Sequence, residues 1–220
     1  MRNGLIILII VTTGLSSCSQ GSQSTADTVK VEKETLESTE NDKSQKPQTL
    51  HNDKYIDTQN EYTDSIGKKV IIQNSFPKGG LKYTDLYGKD FVYAIFWTHI
   101  NNETTNPLEL EINFPADSFK LPSSADIYFK IFLPSETLTS DKLPLFNYGL
   151  SDLESLLDNG LHNPSSLKKT INPNDSSMFY VVTLFNQGVD GVLRTEFSLK
   201  EQNLFYRIND KEINCGKINL

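Results

Sequence analysis

Residues 91–100 carry apolar side chains on both parities of a strand. Phe91, Tyr93, Ile95 and Trp97 fall on one side, and Val92, Ala94, Phe96 and Ile100 on the other. Successive strand residues point to opposite faces, so such a run needs cover above and below. It predicts a central strand buried on both sides. Shorter segments of strand character surround it. Val70-Ile71-Ile72 opens the series, and Asn101 to Pro107 supply a turn. Leu108, Leu110, Ile112 and Phe114 alternate with Glu109, Glu111 and Asn113, which predicts one core face and one wet face. Residues 127–133 form another strand closed by Pro134, and residues 178–185, 192–199, 204–208 and 213–218 follow, with Asn209-Asp210 as a turn. No internal repeat is apparent. One helix is expected, with Ser151 as N-cap, Glu154 completing a capping box, and Leu153, Leu156 and Leu157 as its apolar stripe. We expect it as a lid over an edge or end of the fold. The pattern predicts an all-β, antiparallel β-sandwich over residues 65–220, with a small jelly roll or open barrel as the alternative.

The N-terminal third reads differently. Arg2 precedes the apolar run Leu5 to Val11, which is too short to span a bilayer and has the layout of a secretory signal. From Ser19 to Asp64, ten carboxylates face five lysines and large apolar residues are few. That composition predicts a disordered acidic tether over residues 18–64, averaging roughly 35–40 Å end to end. The net charge of −7 argues against nucleic acid as a partner.

Leu15-Ser16-Ser17-Cys18 resembles the bacterial lipobox. The resemblance implies a signal peptide over residues 1–17, and Cys18 as the first mature residue, carrying acyl chains. Two or more chains hold a protein stably on a membrane. Ser19, where an Asp would favour inner-membrane retention, points to an outer-membrane anchor on the periplasmic face. Lys168 to Ser176, with Asn174 at a position usually held by Gly, resembles the lead-in of bacterial immunoglobulin-like domains. Asp27-Thr28-Val29 and Asp64-Ser65-Ile66 resemble the O-glycosylation site of secreted Bacteroidota proteins. Together these features resemble a lipoprotein of Bacteroidota-type bacteria with an immunoglobulin-like sandwich.

Chemistry is sparse. Cys18 is committed to lipid, so Cys215 has no disulfide partner and reads as a buried thiol on the face of Ile213. His99 lies in the central strand with only Glu103 nearby as a candidate partner. His51, His99 and His162 are too scattered for a zinc site. Asp152, Glu154 and Asp158 cluster in sequence, but the helix start accounts for the first two better than calcium does. Lys78-Gly79-Gly80 lacks the hydroxyl of a phosphate loop, and no Gly-x-Ser-x-Gly occurs. Tyr83, Tyr87, Phe91, Tyr93 and Trp97 are either core or a sugar or peptide platform. No catalytic residue, metal or cofactor is expected. The reading is a lipid-anchored, non-enzymatic binding or structural module of the envelope, partnered by a protein or glycan. The alternative is a glycan hydrolase whose carboxylates meet only in the fold.

Overall fold

The computed structural model describes residues 53–219, and the chain goes straight from a 3-10 turn at Asp53–Tyr55 into a strand. The elements are β1 (Ile56–Thr63), β2 (Lys69–Ser75), β3 (Lys78–Thr84), β4 (Asp90–Asn102), β5 (Leu108–Phe114), β6 (Phe119–Lys120) and β7 (Tyr128–Phe132). Then come α1 (Leu153–Gly160), β8 (Ser165–Ile171), β9 (Asp175–Phe185), β10 (Thr195–Lys200), β11 (Asn203–Ile208) and β12 (Lys211–Asn219). The signal segment, Cys18, His51, the Asp27 motif and the tether up to residue 52 lie outside the described residues.

Two antiparallel sheets form. The first has the order β1-β2-β4-β9-β7-β6, with β3 pairing β4 beyond the end of β2. The second has the order β10-β11-β12-β5-β8. They face one another as a sandwich around a shared core. Ile72, Phe96, Phe129, Val181 and Phe185 come from the first sheet, and Leu110, Ile112, Phe197, Tyr206 and Ile218 from the second. The described residues form twelve strands, more than the roughly seven to nine of an immunoglobulin domain.

The domain begins earlier than the composition suggests. The tether was expected to reach Asp64, yet β1 pairs with β2 from Ile56 to Thr63. Few apolar residues suffice here because polar side chains find fixed partners. The Tyr62 hydroxyl accepts the Leu199 N–H at 2.8 Å, and the Gln73 amide donates to Gln59 Oε1 at 2.7 Å. Asn74 ties the two sheets together. Its side chain accepts the Phe197 N–H at 3.0 Å and donates to the Phe197 carbonyl at 3.3 Å, as a paired strand would.

The central strand is two-sided as expected. β4 has β2 and β3 on one side and β9 on the other. Ala94, Phe96 and Ile100 enter the inter-sheet core, while Ile95 and Trp97 face outward. Cover for the outward face comes from residues 133–161, where Leu138, Leu143, Tyr148, Leu150 and Leu157 pack on Trp97, Tyr180 and Val182. A third layer is thus added to the sandwich. Burying each such large side chain contributes about 1.5–3 kcal/mol. The helix α1 belongs to this cover, so it lies on a sheet face and not over an edge. Its start also differs from the capping box. Asp152 occupies the N-cap without a side-chain capping bond, and Ser151 instead gives both its N–H (3.0 Å) and hydroxyl (2.9 Å) to Glu136.

A left-handed turn pins the cover down. Asn147 and Tyr148 have φ of 50° and 55°. That conformation is rare for an aromatic residue and costs about 1–3 kcal/mol. In return the Tyr148 hydroxyl donates to the Phe76 carbonyl at 2.7 Å, and the Tyr148 carbonyl accepts the Tyr180 hydroxyl at 2.8 Å.

The chain does repeat itself once. Tyr62-Thr63-Asp64-Ser65-Ile66-Gly67-Lys68 and Tyr83-Thr84-Asp85-Leu86-Tyr87-Gly88-Lys89 agree at five of seven positions. Each forms the turn of a hairpin, β1–β2 and β3–β4. Asp64 Oδ1 accepts the N–H groups of Ile66 and Lys68, and Asp85 Oδ1 accepts those of Tyr87 and Lys89. Gly67 and Gly88 sit at φ of 80° and 79°, which only glycine adopts freely. Asn174 likewise takes φ 57°, a left-handed conformation that Asn tolerates better than most residues.

Candidate functional site

The cover over the outer face of the first sheet stops short of one end. There β4 begins, β9 ends, and the β3–β4 turn projects. The uncovered strip is a groove of about 530 Å³. Its lining includes Phe91, Tyr128, Lys130 and Leu184 from three neighbouring strands. Asp85, Tyr87 and Lys89 of the hairpin turn and Leu161-His162 after α1 also line it. Tyr87 is 87% exposed and Tyr128 is 44% exposed.

The polar groups around these rings are largely fixed. Lys130 donates from Nζ to the carbonyls of Ala116 and Leu161, and burial holds its pKa below the ordinary lysine value. Lys89 Nζ lies 5.0 Å from the centre of the Phe91 ring. Asn186 accepts the Tyr128 N–H at 2.8 Å and donates to the Asp126 carbonyl at 2.9 Å. Asp85 is the one carboxylate in the lining, and its Oδ1 is already committed to the two turn N–H groups.

Of the aromatic stretch, Tyr83, Tyr93 and Trp97 are buried in the outer core, while Tyr87 and Phe91 reach the groove. Tyr83 donates its hydroxyl to Asp158, which ties β3 to α1. Burial first, then the Asp158 carboxylate, raises the Tyr83 pKa. This bond gives Asp158 a structural partner, while Asp152 and Glu154 are exposed at the helix start.

His99 is buried, and its expected partner Glu103 is not the one it takes. Nδ1 lies 2.9 Å from Oε1 of Gln73, its register mate on β2, which assigns the ring proton to Nδ1. Burial pushes its pKa down to about 4. Cys215 faces the inter-sheet core with Ile213, and burial pushes its thiol up to about 12. Lys78 gives its ammonium to the carbonyls of Leu143 (2.6 Å) and Leu145 (2.7 Å), 4.1 Å from the Tyr148 ring centre. It fastens the cover to β3. Among the described residues no group of three or more His, Cys, Asp or Glu side chains could hold a metal ion.

A second cleft of about 310 Å³ runs beside α1, lined in part by Glu136, Asp152, Ser155 and Asn159. Burial alone would raise the Glu136 pKa, but the Lys142 ammonium and the two Ser151 donors hold it below the ordinary carboxylate value. Glu136 is thereby a tie between segments.

Tyr128, Lys130, Leu161 and Asn186 were missed as site residues. They come from separate segments, each of which reads as ordinary strand or loop. The one available signal was the repeated hairpin turn, whose second copy carries Leu86 and Tyr87 at the exposed tip.

The fold and groove define an all-β sandwich protein with one partly covered sheet face. Comparison with protein-family models, curated proteins and solved structures finds no match for this chain.

Proposed function

We propose that the chain is a lipid-anchored envelope protein that works by binding, with the groove as its ligand site and Cys18 carrying the acyl chains. The observation that carries the binding reading is the uncovered strip of sheet face, where exposed Tyr87 and Tyr128 stand beside fixed polar groups. Concave sites with an apolar floor and a few placed polar groups are the usual form of a ligand site. The hydrolase alternative is less well supported. Glycoside cleavage by the usual route needs two carboxyls about 5–9.5 Å apart; the groove lining offers Asp85 alone, and in the cleft beside α1, which holds Glu136 and Asp152, Glu136 is committed to Lys142 and Ser151. The lipobox resemblance supports the anchor, and the outer membrane on its periplasmic face is the proposed location.

Three measurements test this. Cys18→Ala should move the protein from the membrane pellet to the soluble fraction after a high-salt wash; retention in the pellet would refute the anchor. A thermal-shift screen of the purified chain against oligosaccharides and peptides should yield ligands whose effect is lost in Tyr87→Ala. Release of new reducing ends from a glycan by the wild-type chain would instead favour the hydrolase.

A further inference from the structure

We propose that the groove takes an acidic saccharide, a short run of sugar rings bearing carboxylate or sulfate groups. The proposal rests on the reading of the groove as a ligand site and adds the chemistry of its occupant.

Three features of the lining lead there. The groove is built on the face of the first sheet, so it presents side chains and not a free strand edge. An extended peptide gains main-chain hydrogen bonds from an edge, which this surface lacks. Exposed tyrosine rings, by contrast, offer flat apolar faces with a polar tip, suited to the C–H faces of sugar rings.

The charge is the second feature. Two lysines, Lys89 and Lys130, line the groove, where Asp85 is the one carboxylate of the lining and Asp117 acts on Lys130 from beside it, in a chain whose net charge is −7. Lys120 adds a further ammonium 6.0 Å from the Tyr128 ring centre. With Lys120 the groove gathers three ammonium groups against two nearby carboxylates, a small local excess of positive charge on an acidic protein that favours anions.

Pre-organisation is the third. Lys130 is held by two carbonyls, which leaves one of its three N–H donors uncommitted. A cation fixed in place loses little freedom when an anion arrives. The Asp85 oxygen that anchors the turn also fixes the Tyr87 backbone N–H, at 2.9 Å, in the groove lining.

Isothermal titration of the full chain with oligogalacturonate, neutral malto-oligosaccharide and polyglutamate separates the possibilities. Oligogalacturonate should bind, and its affinity should fall steeply between 0.05 and 0.5 M salt, as screening shortens from roughly 10 Å or more toward a few ångströms. Lys89→Ala and Tyr87→Ala, both exposed and foldable, should each weaken it about tenfold, the scale of one charge-assisted hydrogen bond or more. Lys217→Ala, on the outer face of the second sheet, should leave it within twofold. Dextran sulfate binding with the same mutational pattern would support the proposal equally. Malto-oligosaccharide binding as tightly, with loss in Tyr87→Ala, would overturn the acidic preference and leave the binding site standing. Polyglutamate binding as tightly and indifferent to Tyr87→Ala would overturn the saccharide. No binding by any of the three would overturn the proposal.

Discussion

The two Tyr-Thr-Asp-x-x-Gly-Lys turns are locally alike, and they do different things. Both close a hairpin with the same aspartate cradle and the same left-handed glycine. They point to opposite ends of the first sheet, and their tyrosines to opposite faces. Tyr62 reaches the inter-sheet core and bonds Leu199, whereas Tyr83 reaches the outer core and bonds Asp158. The first tip shows Ser65 and Ile66 to water, and the second shows Leu86 and Tyr87 beside the groove. Seven residues can dictate a turn; what the turn is for depends on which face of which strand it feeds.

Acid should separate the two hairpins most. Gln73 of the first bonds His99, while the matching position of the second is Ala94. The folded His99 has its pKa depressed from near 6.5 to about 4. Its contribution is intact above pH 6.5, falls away as pH drops from 6.5 to 4, and amounts to roughly 3 kcal/mol at the lower end. Denaturation curves should show that loss in the wild-type chain, and His99→Gln should flatten it. Amide exchange, corrected for intrinsic rates, should rise in β1 and β2 before β3. Equal exchange in both hairpins at pH 4.5 would dissolve the distinction.

Next in size is the tyrosine pair. Tyr62→Phe strips the Leu199 N–H of its acceptor and should cost about 1–3 kcal/mol. Tyr83→Phe removes a donor from Asp158, which water can still reach, and should cost under about 1 kcal/mol. Urea titration of both variants decides the order. The aspartates should behave as a matched pair. Asp64→Ala and Asp85→Ala each lose two turn bonds and should cost about 1 kcal/mol; a difference beyond ~0.5 kcal/mol would mean that the turns are not equivalent. Smallest of all, Ile66→Ala and Tyr87→Ala should leave stability within ~0.5 kcal/mol, since both side chains are exposed. Only the second should weaken ligand binding.

Some of this was readable in the chain. β4 declared itself because its apolar residues occupy both parities, and β5 because its residues alternate. Asn209, which takes φ 45° between β11 and β12, marked its own turn. β1 stayed hidden because its stabilising groups are Gln59, Asn60 and Thr58, residues that resemble tether until their partners on β2 and β10 are in place. β3 was masked by Lys78-Gly79-Gly80, where a bulge breaks the pattern. The cover over Trp97 has 3-10 turns and a left-handed segment, which carry no periodicity to read. The groove was out of reach because neighbours in space, Phe91, Tyr128, Leu161 and Leu184, are far apart in sequence.

The bond between Asn74 and Phe197 sets a schedule for folding. It joins residues 123 positions apart, and it sits where the two sheets meet. Contacts of such long range require closure of a long loop before they give anything back, which places closure of the sandwich among the slower steps available to a small domain, milliseconds to seconds. Until β10 arrives, the amide of Asn74 has no strand to imitate and the apolar face of β2 lies open. A chain halted before Thr195 would hold the first sheet without its lock, in the state where a neighbouring molecule's strand could take the vacant place.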